Sequence, residues 1–161
     1  MANRPGEKRT GGRTRLREGD VFAISLGEDL YGYCRYLTGL LTEFFDIRSS
    51  GLSPVEEVVS ANVVFTVWVS KEAFKSDKWN RIGSREVRVK PNPVFFKQDP
   101  ITNELCLYQD YRETPATLAE CQGLERAAVW SANHIEDRLR DHFEGRPNRW
   151  VESLKPKGMV Q

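Results

Sequence analysis

The chain has 161 residues, 24 Lys/Arg against 23 Asp/Glu, and three cysteines. That length suffices for one domain with a sizeable buried core, and an odd cysteine count without CxxC spacing excludes a complete disulfide framework. There is no signal-peptide core and no apolar run of membrane-spanning length, so the expectation is a cytoplasmic protein with no membrane partner.

The net charge of +1 divides unevenly, since residues 1–18, MANRPGEKRTGGRTRLRE, carry six Lys/Arg and two Asp/Glu. The stretch has no apolar period with which to offset its ordering entropy, and it predicts a disordered basic tail. One domain is expected over 19–150, with a C-terminal extension over 151–161.

From Asp20 the texture becomes β-like. DVFAISL and LYGYCRYL around GED read as a hairpin, and LLTEFFDI reads as a third strand. Ser53-Pro54, with Glu56 three residues after the serine, predicts an N-cap, a first-turn proline and a short helix near 54–60. NVVFTVWVS is nearly continuous in apolar residues, as a central strand covered on both faces should be. KEAFKSDKW predicts a brief helical turn. REVRVK alternates as an exposed strand does.

VFFKQ and LCLYQDY flank the turn-rich DPITNE and predict a second hairpin. LERAAVW reads as a strand. Ser131 is placed to cap a helix that carries Ile135, Leu139 and Phe143 on one face and stops at Gly145 and Pro147. The expected fold is mainly β within the α+β class: a twisted or barrel-like antiparallel sheet with a packed C-terminal helix.

Catalytic patterns are scarce. His134 and His142 stand eight residues apart on a helix, two turns from each other, which is too far to share one metal. Glu136 with Arg140 fits an i,i+4 pair on a solvated face. Cys34 and Cys106 sit in apolar runs, and Cys121 has no activating pattern. There is no GxSxG, P-loop or HExxH, so neither an enzyme, a cofactor nor a metal is expected.

The acids carry more information. Glu43 and Asp46 close the third strand, Glu56 and Glu57 lie on the short helix, and Asp110 and Glu113 accompany Tyr108 and Tyr111. Brought together, these eight side chains would form an acidic face with aromatic anchors, suited to a basic protein partner such as a nuclease. An alternative is a small β-barrel nucleic-acid-binding module that uses the basic tail and REVRVK on phosphates, with aromatics stacking on bases.

EGDVFAISL with YGYCRYL, then VVFTVWVSKEAFKSDKWNRIG, VFFKQDP, and GLERAAVW with HIEDRLRDHFEGRPN follow one another in an order that resembles the immunity protein 26 family of bacterial polymorphic toxin systems. The resemblance spans Glu18 to Asn148. It implies a mainly β cytoplasmic protein, encoded beside a toxin, that binds and blocks that toxin without catalysis. Toxins associated with the family include HNH/endonuclease VII-type nucleases.

Overall fold

The computed structural model describes residues 15–158. Of residues 1–18, expected to be a disordered tail, 1–14 lie outside the described residues. The described chain is mainly β, with strands β1 (Asp20–Gly27), β2 (Leu30–Tyr36), β3 (Leu41–Phe45), β4 (Val63–Val69), β5 (Trp79–Ser84), β6 (Phe95–Gln98), β7 (Leu105–Gln109), β8 (Arg112–Pro115) and β9 (Val129–Trp130). Its helices are α1 (Val55–Ser60), α2 (Leu118–Cys121), α3 (Ala132–Phe143) and α4 (Arg149–Ser153), with a 3-10 turn at Lys71–Lys75.

The strands form two sheets, β5-β1-β2-β3-β4-β9 and β6-β7-β8. All pairs are antiparallel except β4 with β9. The larger sheet ends in two edges, so the barrel-like closure admitted by the sequence does not form. The first hairpin turns through Glu28 and Asp29, both with positive φ (47° and 59°), the two-residue geometry that matches strand twist.

Period-two alternation divides the large sheet into two packed faces. On one, Phe22, Ile24, Phe44, Phe65, Val67 and Val69 meet Ile135 and Leu139 of α3. On the other, Val21, Ala23, Tyr33 and Phe45 meet Val58 of α1. Two glycines let the helices approach. A Cβ on Gly32 would lie 3.1 Å from Leu139 Cδ1, and one on Gly83 would lie 2.9 Å from Val55 Cγ2.

The near-continuous apolar character of β4 has its cause in both faces. Phe65, Val67 and Val69 lie under α3, while Trp68 points the other way and packs on Phe95 of the small sheet, ring centroids 4.1 Å apart. Trp68 pairs across from Leu41 in β3, so the small sheet and α1 occupy the same side of the large sheet.

Several expected elements shift. Residues 85–90 form no strand; the edge strand next to β1 is instead Trp79–Ser84, whose Trp79 is buried. Of LERAAVW, Val129 and Trp130 pair with β4 as β9, and Arg126 makes a single parallel bridge to Phe96 of β6. Pro54, not Ser53, occupies the N-cap of α1, without a side-chain cap bond, and the Ser53 N–H donates to Tyr33 Oη at 2.8 Å. Ser131 holds the N-cap position of α3 but its hydroxyl bonds Asn133 Oδ1 rather than a helix N–H.

Besides β5, three elements were not expected: β8, α2 and α4. α2 is held by a capping box in which Thr117 Oγ1 accepts from the Glu120 N–H and Glu120 Oε2 accepts from the Thr117 N–H. α4 is capped by Asn148 Oδ1, which accepts from the N–H groups of Trp150 and Val151. It brings Trp150, Val151 and Leu154 onto the α3-side core.

Candidate functional site

The eight acidic and aromatic side chains divide into two groups. Glu43 in β3 is 3% exposed, with its Oε1 2.7 Å from Arg35 Nε and 2.6 Å from Nη2. A charge this deeply placed must be paired to stay buried, so Glu43 holds strands together and is not on a face open to a partner. Asp46, one residue past β3, is exposed and bonds His142 Nε2 at 2.8 Å. On α1, Glu56 pairs with Arg85 Nε at 2.5 Å, while Glu57 is exposed.

The second group sits together on the small sheet. Tyr108 and Glu113 are direct cross-strand partners, and Lys97 joins them, donating to Glu113 at 2.9 Å with its Nζ 4.0 Å from the Tyr108 ring centroid. The Glu113 hydrogen bond comes first among the causes that hold Lys97 above the usual lysine range. Asp110 and Tyr111 form the turn between β7 and β8; Tyr111 is 94% exposed and Asp110 Oδ2 accepts from Asn92 Nδ2 at 3.2 Å. Tyr108 is half-buried against Trp68.

Among the described residues the fold thus gathers Tyr108, Asp110, Tyr111 and Glu113 on one hairpin, and leaves Asp46, Glu56 and Glu57 on and near α1. Further acids, Asp99 and Glu104, border the same hairpin in a cleft of about 890 Å³ with Lys97 and Glu113. Asp99 lies below the usual carboxylate range because the N–H groups of Thr102 and Ile101 bond it. Composition carried a signal for these residues: between 99 and 125 the chain has six Asp/Glu and a single basic residue, Arg112.

Both histidines have structural partners. The His134 ring stacks on Trp150 at 3.6 Å between centroids, and His142 meets Asp46. Glu136 does not pair with Arg140 on a solvated face. It is 4% exposed and turned inward, while Arg140 bonds Asp137 and the Leu26 carbonyl. Burial pushes the thiols of Cys34 and Cys121 upward, opposite to what a nucleophilic cysteine needs. No group of three or more His, Cys, Asp or Glu among the described residues is placed to hold a metal ion, and no helix there is long and apolar enough to cross a membrane.

A family model described as immunity protein 26 matches residues 17–107, more than half of the chain. The chain belongs to the immunity protein 26 family. The matched segment contains β1 to β6, α1 and the first three residues of β7, so the family likeness covers five of the six large-sheet strands and the attachment of the small sheet. Comparison with curated proteins gave no match, and neither did comparison with solved structures. Within this immunity protein 26 member, the helix that covers one face of the sheet, α3, lies beyond the matched residues.

Proposed function

We propose that this chain is the antidote of a bacterial toxin–immunity pair: in the cytoplasm it binds a cognate toxin, a nuclease, and covers its active site or an adjacent exosite without covalent chemistry. The observation that carries this reading is the immunity protein 26 match over residues 17–107. Two features of the site support it. Each histidine is engaged by a structural neighbour rather than by a nucleophile, and the exposed acids Asp46, Glu57 and Asp110 suit association with a cationic nuclease surface.

Affinity in such a complex comes from a few anchors, with peripheral acids raising the encounter rate. The nucleic-acid alternative placed the basic tail and residues 85–90 of a small β-barrel on phosphates, with exposed aromatics on bases; residues 85–90 form no strand and the sheet is open, while residues 1–14 of the tail lie outside the described residues.

The test is co-expression with the toxin domain encoded by the adjacent reading frame. Growth arrest by the toxin alone, growth restored by this chain, and a stable complex on size exclusion are the expected results. Continued arrest with no complex would overturn the reading.

A further inference from the structure

Gln109 and Arg112 pair across the β7–β8 hairpin, leaving Asp110 and Tyr111 as a two-residue loop with φ of 51° and 63°. Both angles lie in the left-handed region, where the second position of such a turn strongly favours glycine and a bulky side chain is strained. Packing could offset that strain, but Tyr111 at 94% is the most exposed large apolar side chain among the described residues. Its ring therefore contributes little to the stability of the fold that displays it. A strained, displayed side chain of this kind points to a role outside the chain itself.

The tip is held firmly. Asn92 donates to Asp110 through Nδ2 and accepts from Gln109 Nε2 at 2.8 Å through its carbonyl, and Lys97 ties β8 back to β6 through Glu113. A preorganised hairpin loses little freedom on binding. Along the chain, residues 99–125 hold six acids against Arg112; Lys97 pairs with Glu113 and Arg138 with Glu125, so Asp110 is the acid carried at the tip itself.

Addition of a strand along the β8 edge is poorly served. The Ala116 N–H bonds the Leu105 carbonyl, and by alternation the main chains of Glu113 and Pro115 face away from β7. Pro115 has no N–H to offer, so the outer edge is blunted in the manner that discourages edge pairing. The tip, rather than the edge, is the feature available to a partner.

Resting on the antidote reading above, we propose that the β7–β8 hairpin is the element the toxin grips: Tyr111 enters a pocket on a basic toxin surface, and Asp110 beside it faces the cations around that pocket. Tyrosine is enriched among the few residues that dominate interface energies, because it supplies large rigid area at low entropic cost.

The experiment measures binding of the adjacent-frame toxin domain, made catalytically inactive, to the wild-type chain and to Tyr111→Gly, Tyr111→Asn and the control Val89→Ser, with thermal midpoints for each. Val89 is 85% exposed and lies outside the hairpin. Both Tyr111 variants should weaken binding by about 30-fold or more while their midpoints rise, because glycine and asparagine suit the left-handed turn; the control should bind as wild type does. Wild-type binding with both variants within about twofold of it would overturn the hairpin assignment and leave the antidote reading standing. Affinity lost together with a lowered midpoint in both variants would also overturn it. A wild-type chain that does not bind would remove both.

Discussion

Glu136 Oε2 accepts a hydrogen bond from the indole Nε1 of Trp79 at 3.1 Å, inside the core and 57 residues away in the chain. The contact ties α3 to the edge strand β5. Lys78 stands 3.5 Å from the other oxygen of the same carboxylate and is itself largely exposed, so the buried charge has one solvent-facing counter-charge.

Replacing Glu136 with Leu leaves the Trp79 N–H buried without an acceptor, a loss of about 1–3 kcal/mol. Glu136→Gln keeps an oxygen for the indole and should cost less. Urea denaturation of the two variants checks the order. Equal losses would mean that the indole bond contributes little.

Gly83 and Val55 make the second helix contact testable. The Cβ of an alanine at 83 would lie 2.9 Å from Val55 Cγ2, closer than van der Waals contact, and overpacking of this kind costs about 1–3 kcal/mol. Gly83→Ala should be destabilised, and Val55→Ala should recover part of the loss in the double variant. A double-mutant cycle by chemical denaturation measures the coupling; additivity would place α1 elsewhere.

Leu139 is fully buried, at the point where Gly32 admits α3 to the sheet. Leu139→Ala should cost about 2–5 kcal/mol, depending on how far the site collapses around the void. A thermal midpoint equal to wild type would contradict the packing of this helix face.

Cys34 and Cys121 are buried, and burial raises both thiols above the ordinary value of 9.0. Cys106 is partly exposed. A disulfide reagent at pH 8 should therefore modify one thiol rapidly in the native protein and three after denaturation. The pH dependence follows in sign: unfolded thiols ionise near 9 while the buried ones stay neutral. Their stabilisation is full below that value and falls above it, by about 1.4 kcal/mol per pH unit for Cys34. Rapid native labelling of all three would show that the burial is wrong.

Much of this fold is legible in the sequence because local signals and tertiary packing agree. The GED turn between two alternating runs, the apolar β4, and the spacing of Ile135, Leu139 and Phe143 each describe an element whose buried face exists for the same reason. REVRVK fails because alternation alone does not supply a neighbour, whereas the unpromising WNRIGS becomes β5 through its register with β1. β8 is four exposed residues whose only evidence is the hairpin it completes. α2 was readable: Thr117 and Glu120 have the capping-box spacing. The candidate acids were identifiable as charges but not as neighbours, and nothing local to Glu43 announces that Arg35 buries it.

The charge on α1 separates steering from anchoring. Glu56 is engaged by Arg85, so reversing it would set a lysine against a guanidinium and disturb the fold, while Glu57 is exposed on the same helix. If Glu57 steers a cationic toxin, Glu57→Lys should slow association by about tenfold at low ionic strength and leave dissociation nearly unchanged, because peripheral charges act on encounter rather than on the docked complex. The difference should shrink as salt shortens the screening length to about 8 Å at physiological ionic strength. Stopped-flow association at two salt concentrations makes the measurement. An unchanged rate at low salt would remove Glu57 from the steering surface and leave the hairpin as the acidic element that meets the toxin.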